Sequence, residues 1–204
     1  VGLALTDRNA AAWRGWALPA SLAVTAFALQ AGGLDIACRY ERSAIATGEF
    51  WRLFTGHLVH LGWRHLALNL VGVLLVWLLV GSAFSFPRWL AVIGVSVLLV
   101  DAGFWWLSPE LDWYVGLSGL LHALLVAGAS ALALQRDGYA RYEALVLLVL
   151  TAIKLGWEQF AGPMPGSETA AGGNVVVDAH VYGAAAGLIC ACLVGGLLPS
   201  SGRD

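Results

Sequence analysis

Long apolar runs separated by polar breaks organise this chain. At about 1.5 Å of rise per helical residue, runs of spanning length predict six helices, at about 16–36, 66–85, 88–107, 115–135, 143–161 and 176–198. The breaks are short at Ser85-Phe86-Pro87-Arg88, Ser108-Pro109-Glu110 and Arg136-Asp137-Gly138. They are longer at 37–65 and at 162–175, where Pro, Gly and Ser collect. Pro19, Gly32 and Gly33 weaken the first run, but it is too long for a signal peptide and has no cleavage pattern, so it reads as a retained helix. With no repeat and no separate soluble segment, residues 1–204 read as a single membrane domain.

Composition agrees with the pattern. A chain that is 59% hydrophobic and 12% charged, with ten Trp, cannot cover a water-facing surface. An integral membrane protein is therefore expected. The net charge of −2 and the lack of a basic run argue against a nucleic-acid partner. Cys38, Cys190 and Cys192 are odd in number and lack metal spacing, so neither a disulfide framework nor a zinc site is expected. With the N-terminus cytoplasmic, Arg8, Arg14, Arg88, Arg136, Arg141 and Arg203 all fall on the cytoplasmic side, as the positive-inside rule requires. The 37–65 segment breaks that rule with Arg39, Arg42, Arg52 and Arg64, which predicts a structured loop at the interface whose charges are held by protein contacts.

Several polar groups sit at unusual places in this apolar frame. Ser118 opens the fourth helix, His65 and Asn69 share a face at the start of the second, and His180 lies near the start of the sixth. All three positions fall near the non-cytoplasmic end of their helices. A serine hydroxyl attacks a carbonyl only when an imidazole takes its proton, and the resulting oxyanion needs preorganised donors. Ser118, His180, His65 and Asn69 are the candidates for those roles. Gly116 and Gly119 would relieve crowding at the nucleophile and let a substrate backbone approach, while Gly183 and Gly187 would let the sixth helix press against the fourth and bring His180 to Ser118.

These motifs resemble the signature set of rhomboid intramembrane serine proteases: "GLSG" at 116–119, "HLALN" at 65–69 and "HVYGAAAG" at 180–187, in chain order. "EFWRLFTGHLVHLGWRH" at 49–65 is similar to that family's long first loop. The resemblance implies an all-α membrane protein, a six-transmembrane-helix rhomboid-like bundle with a long structured first loop. It also implies a Ser–His dyad without an aspartate, with Ser118 as nucleophile and His180 as base. His65, Asn69 and the Ser118 N–H would form the oxyanion hole, and no cofactor or metal is implied. "SGLLHALL", "KLGWEQ" at 154–159 and "VDAHVYG" at 177–183 look like the rhombosortase subfamily. That likeness implies a bacterial inner-membrane enzyme with its active site toward the periplasm. Its partners would be transmembrane substrates with a C-terminal Gly-Gly sorting tail, and membrane lipid whose headgroup amine accepts the product.

Other polar residues leave alternatives open. His122, four residues after Ser118, is either an alternative base or a group that supports the serine, and its deeper position favours support. Lys154 and Glu158 form an i,i+4 pair whose partners could include Asp101 or Asp178. A structural clamp is the plainer reading; the other is that Glu158 or Asp178 tunes His180. His57 and His60 lack the carboxylate of a hydrolytic zinc motif and read as loop histidines bonded to backbone. Gly172-Gly173 reads as a flexible loop gating His180. A non-catalytic rhomboid-like binder and a haem carrier ligated by His65, His122 and His180 are the rival classes.

Overall fold

A computed structural model describes residues 2–196, so Arg203 and the last two positions of the run expected at 176–198 lie outside the described residues. Helix α1 spans Gly2–Ala31 and stops where Gly32 and Gly33 turn the chain, Gly33 with φ of 63°. Its apolar part, Gly15–Ala31, is shorter than the run expected at 16–36. Among the described residues five other helices are long and apolar enough to cross a membrane, which makes this a multi-pass membrane protein. They are α5 (Trp63–Val80, continued by a 3₁₀ turn to Ala83), α6 (Phe86–Leu107), α7 (Ser118–Gln135), α8 (Gly138–Ala161) and α10 (Val177–Gly196). The expected sixth crossing thus rests on the short apolar stretch of α1.

The break after α1 is built as predicted for a structured loop. It contains α2 (Asp35–Cys38), β1 (Tyr40–Glu41), α3 (Arg42–Ala46) and α4 (Arg52–Thr55). β1 pairs antiparallel with β2 (Trp113–Tyr114), which lies just ahead of α7, with Tyr40 opposite Tyr114. Three of the four arginines that break the charge rule are held by the protein. Arg39 pairs with Glu41. Arg52 binds Glu49 and the carbonyls of Ile36 and Arg39. Arg42 donates to the carbonyls of Phe104, Trp105, Ser108 and Leu111, satisfying acceptors that the end of α6 leaves without helical partners.

Helix α7 is the hub and packs on α5, α6, α8 and α10. Two-thirds of its apolar window (67%) is buried, against 17% for α8, so the serine stands on the most enclosed helix and α8 is largely lipid-facing. Leu145, Val149, Leu150, Ile153, Trp157 and Phe160 of α8 are exposed, as a lipid-facing surface requires. The segment at 162–175 contains a short helix not expected from its Gly and Pro content, α9 (Ser167–Ala171), ended by Gly172 in the left-handed conformation.

Candidate active site

The first loop and the serine turn are tied together before any reactive group is placed. The Gly116 amide donates to the Gly56 carbonyl at 3.0 Å, and the Arg42 amide donates to the Asp112 carbonyl at 2.8 Å. The Tyr114 hydroxyl donates to the Gly116 carbonyl at 2.7 Å and accepts from the Gly119 amide at 3.3 Å, bracing the turn on both sides of Ser118. Burial pushes the Tyr114 phenol up to about 12, so it stays a neutral donor. Ser118 is the first residue of α7, so its N–H has no carbonyl within the helix to bond.

His180 reaches this turn because two backbones nearly touch. A Cβ on Gly183 would lie 2.0 Å from the Gly119 carbonyl oxygen, and one on Gly187 would lie 2.4 Å from that of Ala123. Only glycine permits that approach of α10 to α7. It leaves His180 Nε2 3.1 Å from Ser118 Oγ. His180 Nδ1 lies 2.8 Å from Glu158 Oε2, and Lys154 Nζ donates to the same oxygen at 2.7 Å. Lys154 Nζ also lies 3.3 Å from His180 Nδ1. Nδ1 cannot both accept from the ammonium and face a carboxylate with a bare lone pair. The satisfied arrangement has Nδ1–H donating to Glu158, which leaves the Nε2 lone pair for the serine proton.

His122 is fixed differently from Ser118's other neighbour. Its Nδ1 donates to the Ser118 carbonyl at 2.7 Å, and its ring stacks on His180 with centroids 4.3 Å apart. The hydroxyl is bonded to His180, and His122 buttresses that imidazole. Asp178 does not hydrogen-bond His180. It accepts from Ser108 and Gln159 and ties α10 to α6 and α8.

His65 and Asn69 meet the serine turn at Gly116. With φ of +123°, Gly116 holds a conformation that favours glycine, and a Cβ there would sit 2.7 Å from His65 Cε1 and 3.8 Å from Asn69 Nδ2. The Leu61 amide donates to His65 Nδ1 at 3.3 Å, which puts the ring proton on Nε2. One Asn69 Nδ2 proton goes to the His65 carbonyl at 3.1 Å. Gly119 lies against Ala179 of α10 and the Tyr114 hydroxyl, a packing position outside the cleft. The cleft above Ser118 holds about 270 Å³; His65 and Tyr114 line it, Glu110 and Asp112 flank it, and Asn174 and Val176 close one side.

The remaining polar residues depart from expectation. Asp101 is not a partner of the Lys154–Glu158 pair; it bonds His57 at 3.2 Å, on another face of the bundle. His57 is thus held by a side chain and not by backbone. His60 is wholly buried with neither ring nitrogen bonded, and burial lowers its pKa to about 3, so it is a neutral packing residue against His65. Among the described residues no group of three or more His, Cys, Asp or Glu is placed to hold a metal ion. The haem alternative fits poorly, because His122 and His180 stack face to face and both His180 nitrogens are engaged. Sequence reasoning missed Tyr114, and it expected protein contacts for Arg42 without naming its partners, because both roles depend on what the first loop touches.

The arrangement can activate a hydroxyl and receive negative charge beside it, as acyl transfer requires. Residues 47–196 match the family model of the Rhomboid domain. No curated protein matches the chain.

Proposed function

The chain belongs to the rhomboid family, and from that premise we propose that it is an intramembrane serine protease with Ser118 as nucleophile and His180 as general base. The observation that carries the reading is the 3.1 Å contact between Ser118 Oγ and His180 Nε2, within the reach proton transfer requires. Ser118 Oγ attacks a peptide carbonyl while His180 Nε2 accepts its proton. The oxyanion is received by His65 Nε2–H, Asn69 and the Ser118 N–H. His180 then protonates the leaving amine, and water or another amine resolves the acyl-enzyme.

A substrate helix reaches this centre from the side. α5 and α8 both pack on α7 and hardly touch each other. Between α5 and α7 runs an apolar groove of about 280 Å³ lined by Gly72, Leu75, Leu79, Leu121, His122 and Leu125. His122 belongs to that groove and stacks on His180, so the groove comes within one imidazole ring of the proposed base.

The finer reading is a rhombosortase. It is supported by the likeness of "SGLLHALL", "KLGWEQ" and "VDAHVYG" to that subfamily. The substrates would be exported proteins with a C-terminal Gly-Gly motif, a hydrophobic helix and a basic end, cleaved at the periplasmic face of a bacterial inner membrane, with a lipid headgroup amine as acceptor. The test is mass spectrometry of products from purified protein and such a tail peptide. Wild type is expected to cut near the glycines, and Ser118→Ala and His180→Ala to lose about 10⁴-fold or more of kcat. Cleavage of other membrane substrates with this tail left intact would retain the protease and reject the sorting role. A folded wild type that cleaves neither would make the chain a rhomboid-like binding protein.

A further inference from the structure

Helix α8 buries only three side chains among its described residues, Ala144, Thr151 and Glu158, spaced seven apart on one face. The last of them is a carboxylate that is 2% exposed. Burying an ionised group in a membrane protein is unfavourable unless it is paired or has a task. A structural clamp does not account for it. Lys154 is on the same helix, so its bond to Glu158 does not by itself join α8 to another helix, and its 3.3 Å approach to His180 Nδ1 cannot be a hydrogen bond when Nδ1 carries a proton. The contact that crosses between helices is the one to His180 Nδ1.

We infer that Glu158 is a positioning residue that completes a Ser118–His180–Glu158 triad, in place of the dyad that the family resemblance implies. The inference rests on the serine-protease reading above. A neutral imidazole can carry its proton on either nitrogen, and the form protonated at Nε2 cannot accept from serine. An acceptor at Nδ1 selects the productive form and fixes the ring plane. The same carboxylate stabilises the imidazolium that forms as Ser118 gives up its proton. Lys154 Nζ donates to the same carboxylate oxygen at 2.7 Å and so helps to hold it in place beside the ring. His122 closes the opposite face of the ring by stacking. The other nearby carboxylate, Asp178, is occupied by Ser108 and Gln159, which leaves Glu158 as the group for this role.

The experiment uses the full chain in detergent, with a cleavable membrane substrate and a fluorophosphonate probe that reports Ser118 reactivity without substrate docking. Glu158→Gln is expected to lower kcat by about 10²- to 10⁴-fold with KM unchanged, to slow phosphonylation in parallel, and to keep the wild-type Tm. Glu158→Asp keeps the charge with a shorter reach and is expected to fall between the two. Lys154→Met leaves the carboxylate on His180 and is expected to lose at least tenfold less than Glu158→Gln. Wild-type kcat and labelling in Glu158→Gln would overturn the triad. So would equal losses in Glu158→Gln and Lys154→Met that track a fall in Tm, the mark of a clamp. If Glu158→Gln does not fold, the double variant Glu158→Leu/Lys154→Met decides, since it removes both charges together and leaves none unpaired, and wild-type kcat and labelling in it would reject a positioning role. A folded wild type that neither cleaves nor labels would reject the protease reading itself, an outcome distinct from a reactive wild type with an indifferent Glu158.

Discussion

The Leu61 amide decides what the imidazole of His65 can do. By donating to Nδ1 it leaves Nε2 as the donor, against the left-handed turn at Gly116. Asn69, one helical turn on, meets the same glycine and has an amide proton beyond the one given to the His65 carbonyl. Removing one oxyanion donor typically lowers kcat by about 10²- to 10³-fold. His65→Ala and Asn69→Ala are each expected to do so with little change in KM, measured by steady-state cleavage. His60 behaves oppositely to a working histidine. Its folded pKa of about 3 lies below the ordinary 6.5, so the unfolded chain takes up the proton first as pH falls. Its stabilising effect is complete above pH 6.5 and is lost on acidification toward 3, at up to about 1.4 kcal/mol per pH unit. Tm measured from pH 7.5 to 4.5 should therefore fall less steeply in His60→Leu than in wild type.

Helix α10 can deliver His180 only if it lies almost on the backbone of α7, and Gly183 and Gly187 set that distance. A methyl group on Gly187 would meet the Ala123 carbonyl at 2.4 Å, so the helices would have to part. Overpacking of this kind costs about 1–3 kcal/mol. Gly187→Ala is expected to lower Tm and cut cleavage at least tenfold, with Ser118 and His180 unaltered; wild-type activity would mean that the helices yield more easily than their packing suggests. This element was readable in advance, because two glycines four apart after a histidine lie on one helical face. The run lengths likewise anticipated α5, α6, α7, α8 and α10 to within a few residues. Which side chains meet across helices was readable only in part: Ser118 with His180 was expected, and Glu158 was one of two carboxylates left open for His180. Glu158 and His180 are 22 residues apart on different helices, and Lys154 offered an equally good local partner. His57 and Asp101, 44 residues apart, pair only because the first loop folds onto α6. Hydropathy also made α1 look longer than its apolar length, since it carried the run across the Gly32-Gly33 turn.

Across the whole molecule, Ser118 stands on the most buried of the spanning helices, and the least buried one lies at the flank. The first loop is bound to the serine turn through β1 and β2, the Gly116–Gly56 bond and the carbonyls bound by Arg42, so it braces the centre from the aqueous side. On the lipid side, α8 is the least buried of the spanning helices, and the groove beside α7 leads to His122. The intramembrane proteolysis we propose would use both features: an open cleft above Ser118 and an apolar groove beside its helix. If this architecture serves proteolysis, Ser118 reacts as a nucleophile. The most direct test is to treat folded wild-type protein with a fluorophosphonate and locate the adduct by peptide mass spectrometry. A single adduct on Ser118, lost in His180→Ala at unchanged Tm, is expected. No adduct on folded wild type, or one that persists unchanged without His180, would contradict it.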